Sequence, residues 1–158
     1  MKCSFFLPIL FCAWPFMPGG SFGSQAIDPT GTYILKGEVR DNKVVSHSGE
    51  IRVKLLQPAK LTLCFFIDKG FPDYASGSLV DTLRYEDNAA TYVGKDSGCM
   101  LRFLFKPGGV ELMHIFAQGA NDCGFAAGVL TGAFFKKTSS GVPLIQDLSG
   151  HSTPRHDP

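Results

Sequence analysis

Leu61 to Ile67 reads LTLCFFI. Successive side chains of an extended chain point to opposite faces. Leu61, Leu63, Phe65 and Ile67 therefore share one side, and Thr62, Cys64 and Phe66 share the other. This two-residue apolar period is the signature of a half-buried strand. It recurs outward in both directions. Toward the amino terminus, EIRVKLL (50–56) aligns Ile51, Val53 and Leu55, and GTYILKGEV (31–39) forms a first strand before a loop, RDNKVVSHSG. Toward the carboxyl terminus, a ten-residue loop (68–77) leads to SLVDTLRYE (78–86). DNAATYVG (87–94) is a turn and a strand, CMLRFLF (99–105) aligns Leu101, Phe103 and Phe105, and VELMHIFA (110–117) follows. The last strand is GFAAGVLTGAFFKK (124–137), with Gly128 and Gly132 at a bulge or corner.

QPAK, Asp87-Asn88 and KPGG supply tight turns between these runs. No segment carries the apolar stripe of a long helix. Short strands at about ten-residue spacing predict an all-β fold. The short hairpins favour a single antiparallel up-and-down barrel of about eight strands, whose closure removes exposed edges. The domain spans residues 27–140. Residues 141–158 lose all periodicity and are expected to be a disordered tail, with VPLI pinning its start.

Residues 1–26 stand apart. Lys2 precedes an apolar run from Phe5 to about Met17, then Pro18-Gly19-Gly20, then the small-residue pattern Ser24-Gln25-Ala26. This is the order of a secretory signal peptide cleaved after Ala26. The run is too short and too interrupted by proline to span a bilayer. Phe11 before Cys12 disfavours a lipoprotein. The expected location is secreted or periplasmic. Of the 15 Lys and Arg only Lys2 lies in the leader, which leaves 14 against 14 Asp and Glu. A balanced charge disfavours nucleic acid and anionic membrane as partners.

Three cysteines remain, Cys64, Cys99 and Cys123, in a chain that meets an oxidising compartment. Cys99 and Cys123 begin strands two apart in a meander and so lie at one end of the barrel. They are the expected disulfide, with pairings through Cys64 as the alternative. Cys64 otherwise behaves as a small buried hydrophobe.

Catalytic signatures are weak. ASGSL runs into a strand, whereas a nucleophile elbow reads G-x-S-x-G ahead of a helix. His47, His114, His151 and His156 are scattered, no C-x-x-C occurs, and His114 reads as a polar-face strand residue. Glu38, Glu50, Asp81, Glu86 and Glu111 offer no distinguished pair for acid–base work. GFAAG lacks the lysine and helix of a phosphate loop. The expectation is a non-enzyme with no metal and no cofactor.

The stretch GCMLRFLF…CGFAAGVLTGAFFKK resembles the closing half of small exported bacterial β-barrel proteins, through Cys99, Leu101, Phe103, Phe105, Cys123-Gly124, Gly132, Phe134 and Lys136. That resemblance implies a barrel and a disulfide. ASGSLVDTLRY and TYVGKDSG also resemble the loops that periplasmic inhibitors of c-type lysozyme present to their target. The matching positions are Ser76, Ser78, Tyr92 and Lys95. The Ser-to-Lys spacing here is longer, and the turn reads Gly94-Lys95. This likeness implies a protein partner of the lysozyme class, met by exposed loop residues. DPTGTYILKG is similar to the opening of lipocalins and avidins, with Tyr33 in the aromatic position of that calycin-like fold. It implies the alternative, a carrier of a small apolar ligand.

Overall fold

The computed structural model describes residues 26–94, 98–116 and 123–146. Its strands are β1 (Gly31–Leu35), β2 (Val39–Arg40), β3 (Lys43–Val44), β4 (Ser48–Gln57), β5 (Lys60–Asp68), β6 (Ser76–Glu86), β7 (Ala89–Val93), β8 (Cys99–Lys106), β9 (Gly109–Phe116) and β10 (Ala133–Ser139). Eight of them close an antiparallel barrel in the order β1-β10-β9-β8-β7-β6-β5-β4, and β2 and β3 form a separate hairpin. The expected meander is therefore observed. β1 closes the ring, pairing with β4 on one side and β10 on the other.

Alternation builds the interior. Ile51, Phe65 and Leu79 are cross-strand neighbours, as are Leu55, Leu61 and Leu83. Leu61, Leu63, Phe65 and Ile67 are fully buried, as are Leu101 and Phe103, and Phe105 nearly so. Aromatic rings interlock across the lumen. Phe65 meets Phe103, Phe125 and Phe135 at centroid distances of 5.7, 6.0 and 6.0 Å. Phe105 meets Tyr33 and Tyr85 edge-on at 5.9 and 5.5 Å. Such offset ring pairs add to the burial that drives folding.

The two ends of the barrel differ. At one end the hairpins are tight: Asp87 and Asn88 are both left-handed (φ 49° and 59°), and Gly108 has φ 83°. The segment 26–30 crosses this floor, with the Tyr33 hydroxyl donating to the Pro29 carbonyl at 2.7 Å. The other end, the mouth, is where β1, β5, β7 and β9 end and β4, β6, β8 and β10 begin, and among the described residues it carries the connections 36–47 and 69–75 and the turn 123–132.

Among the boundaries that differ from expectation, three shape the mouth. The first strand stops at Leu35, and the following stretch contains the β2–β3 hairpin around left-handed Asp41 and Asn42. The fourth starts at Ser76 instead of 78. The last starts at Ala133 instead of 124, because residues 123–132 turn across the mouth through Gly124 (φ 81°) and Gly128 (φ 73°). Within this turn Phe125, Val129 and Leu130 pack on the core. Cys99 and Cys123 form the disulfide, with Cα atoms 5.2 Å apart. Cys64 lies on the outer face of β5 but is fully buried. Its flanking neighbours are Arg52 and Val80, and its thiol donates to the Gln146 carbonyl at 3.0 Å. Arg52 Nη1 reaches the Leu144 carbonyl at 3.5 Å. The stretch after Gly141 is thus pinned as expected as far as Gln146. The remainder of the expected tail, like residues 1–25 of the leader, lies outside the described residues.

Candidate functional site: the mouth of the barrel

β6 and β7 pair only at Tyr85↔Ala90 and Glu86↔Ala89. Above that point β6 is laddered to β5, and Thr91–Val93 to β8. A seam therefore runs up the wall to the mouth. Ser76 and Ser78 stand on one bank and Tyr92 on the other. Lys95 lies outside the described residues.

The side chains divide by parity. Ser76 pairs with Asp68 and Ser78 with Phe66, which places both on the outer face of a strand. Ser76 is exposed and Ser78 half-buried. The expected exposure is met at Ser76 and not at Ser78, and the loop placement is corrected: the strand begins at Ser76 and includes both serines. Gly77 explains this extension. A β-carbon there would lie 1.9 Å from the Phe125 ring, so the ring rests on bare backbone and β6 continues beneath it. Tyr92 pairs with Leu101, which in turn pairs with His114. This row faces inward, and Tyr92 packs on the core. His114 is likewise corrected from a polar-face residue: its Nδ1 is buried, while Met113 and Ile115 are the exposed side chains of β9. Asp81 pairs with buried Leu63 on the inward side, and its carboxylate accepts the Thr82 N–H at 2.7 Å.

Sequence reading missed the most exposed aromatic pair. Phe71 and Tyr74 are 43% and 49% exposed, and their rings meet edge-on at 6.2 Å. Lys43 Nζ sits 4.4 Å from the Phe71 centroid, a cation–π contact. The loop is fixed to the β2–β3 hairpin. Phe71 N–H donates to the Val44 carbonyl at 2.7 Å, and Tyr74 N–H to the Gly70 carbonyl at 2.8 Å. Gly70 (φ 80°) approaches Val44 and Ser46 so closely that a β-carbon would lie 2.8 Å from both carbonyls. Lys69 and Asp73 add an ion pair at 2.8 Å. The available signal was FPDYASG itself, two aromatics in a turn-rich loop on a rigid scaffold.

Burial pushes the Tyr33 and Tyr85 hydroxyls up at the floor, with the Asp28 charge adding to both. The hydrogen bonds that Arg52 donates to the Glu50 carboxylate push its guanidinium up on the outer wall. Among the described residues no three His, Cys, Asp or Glu side chains converge to hold a metal ion. No helix there is long and apolar enough to cross a membrane.

No family model matches the chain, and no match is found among curated proteins or solved structures.

Proposed function

We propose that this is an exported, non-catalytic recognition protein that binds a protein partner with the mouth of its barrel. The observation that carries this reading is the Phe71–Tyr74 pair, exposed yet held by backbone hydrogen bonds and Lys43. Exposed aromatics on a preorganised loop are what protein interfaces use as anchors, because little rotamer entropy is lost on binding. The Ser76, Ser78 and Tyr92 positions rise along the seam to the same rim. The partner class is a cell-wall-degrading enzyme of the c-type lysozyme kind, by the likeness of the ASGSL and YVGKD stretches. Export with loss of residues 1–26 places the protein where such an enzyme acts. The interlocked rings of Phe65, Phe103, Phe105 and Phe135 support surface recognition over the carrier alternative, which requires an open lumen.

The test is a c-type lysozyme activity assay with the chain from Ile27 onward, then with Phe71→Ala, Tyr74→Ala, Ser78→Ala and Lys95→Ala. Inhibition is expected, and loss of an aromatic anchor is expected to weaken it roughly 30-fold, about 2 kcal/mol. No inhibition at roughly tens of micromolar rejects the lysozyme class.

A further inference from the structure

The floor contains a clamp that the mouth does not use. Asn88, in the β6–β7 turn, accepts the Ile27 N–H through Oδ1 at 2.8 Å. Tyr85 donates its hydroxyl to the Ile27 carbonyl at 2.6 Å and lies 3.1 Å from Asn88 Oδ1. Two side chains of one hairpin, Tyr85 at the end of β6 and Asn88 in the turn, therefore take both backbone polar groups of a residue 61 positions away in sequence from Asn88. The Ile27 side chain packs on the core, whereas Ala26 is exposed. The hold continues downstream: Asp28 Oδ1 accepts the Thr30 N–H at 2.9 Å, and Tyr33 takes Pro29. Among the described residues the hold thus begins at the nitrogen that follows Ala26.

We infer that Asn88 and Tyr85 form a receptor for the α-ammonium group of Ile27, so that removal of the leader completes the floor of the barrel. This rests on the export reading proposed above. An export-linked endopeptidase would catalyse hydrolysis of the Ala26–Ile27 amide. Water gives its hydroxyl to the Ala26 carbonyl carbon and a proton to the Ile27 nitrogen. The amine then takes up the proton that the new carboxylic acid releases. One N–H donor becomes three, of which Asn88 Oδ1 accepts one. The charge also meets a suitable setting. Asp87 lines the same cleft as Ala26 and Ile27 and makes no ion pair among the described residues. Lys106, also on that cleft, is paired with Glu111. Held against Asp87, the ammonium gains a hydrogen bond to a fixed oxygen that the uncharged amine makes less well.

The experiment compares three chains that all end at Pro158: one starting at Ile27, one at Ala26, and one at N-acetylated Ile27. The free Ile27 chain is expected to melt about 3 °C above the other two at about pH 6, which corresponds to somewhat under 1 kcal/mol. Binding the ammonium raises its folded pKa. The advantage is therefore full below the ordinary value of about 8 and fades as pH rises past it. Asp87, Lys106, Glu111, Asp28 and Tyr85 are the other titratable groups around the cleft. They are common to all three chains, so they cancel in the comparison. Asn88→Asp, which keeps a side chain tolerant of left-handed backbone, is expected to widen the gap. Equal melting of the three chains overturns the receptor. Intact mass of the exported protein is a separate arm: a start at Ile27 supports the processing step, and any other start overturns it whatever the melts show.

Discussion

Tyr33 joins packing to polarity. Its ring is buried against Phe105, and its hydroxyl donates to Pro29. Tyr33→Phe would leave a buried carbonyl without its donor. The expected loss is about 1–3 kcal/mol, read as a lower denaturant midpoint with an unchanged slope. Its place as an end-plugging aromatic was legible from GTY. Its partner was not, because the Pro29 carbonyl is aimed by the route of residues 26–30 across the floor. Asp28, on that route, titrates below its ordinary value of 3.8, chiefly through the Thr30 backbone N–H and side chain, with Lys137 adding to this. A folded pKa below the unfolded one gives stability that is present at neutral pH and lost as pH falls through the folded value. Asp28→Asn is expected to flatten the acid limb of a melting-temperature profile below about pH 4.

The turn that closes the mouth is held by two devices. One is the Cys99–Cys123 bridge, spanning 24 residues. The other is Phe125 lying on Gly77. Unreduced peptide mapping is expected to yield a Cys99/Cys123-linked fragment. Replacing both cysteines with serine is expected to cost roughly 3 kcal/mol, by restoring freedom to the unfolded chain. Gly77→Ala keeps the bridge but displaces the ring, so its melting point should fall while the linked fragment persists. These elements show where alternation informs and where it misleads. LTLCFFI and CMLRFLF bury every second residue, and their strands were read to within a residue or two. GFAAGVL is equally apolar, but its Val129 and Leu130 are buried consecutively, as in a plug and not a strand. Apolar content alone does not separate the two. Likewise Ser76-Gly77-Ser78 has loop composition but strand geometry, because a ring from a distant segment replaces the missing side chain.

At the scale of the whole molecule, a filled barrel separates a tight floor from a looped mouth. The filling was legible, since six inward positions on β5 and β8 are Phe or Leu with no polar interruption. The unlike ends were legible only through turn lengths. The seam between β6 and β7 was not, because pairing depends on twist and closure and leaves no residue-type signature. The intact protein is expected not to bind an apolar reporter dye. Phe103→Ala, which empties volume between Phe65 and its neighbours, is expected to cost about 3–5 kcal/mol and to create dye uptake where the cavity does not collapse. Dye binding by the unmutated protein at neutral pH would return the carrier to the fore.

The thiol of Cys64 makes this barrel its own stopwatch. It faces outward on β5 yet is sealed beneath Arg52, Val80 and the backbone near Gln146. A maleimide can reach it only when that seal lifts, while the core beneath stays closed. Labelling speed relative to an open thiol therefore counts the fraction of time the carboxyl-terminal stretch is away, each tenfold slowing marking about 1.4 kcal/mol of latch strength. Arg52→Ala, which releases the Leu144 carbonyl, should quicken the clock severalfold before it moves the melting point.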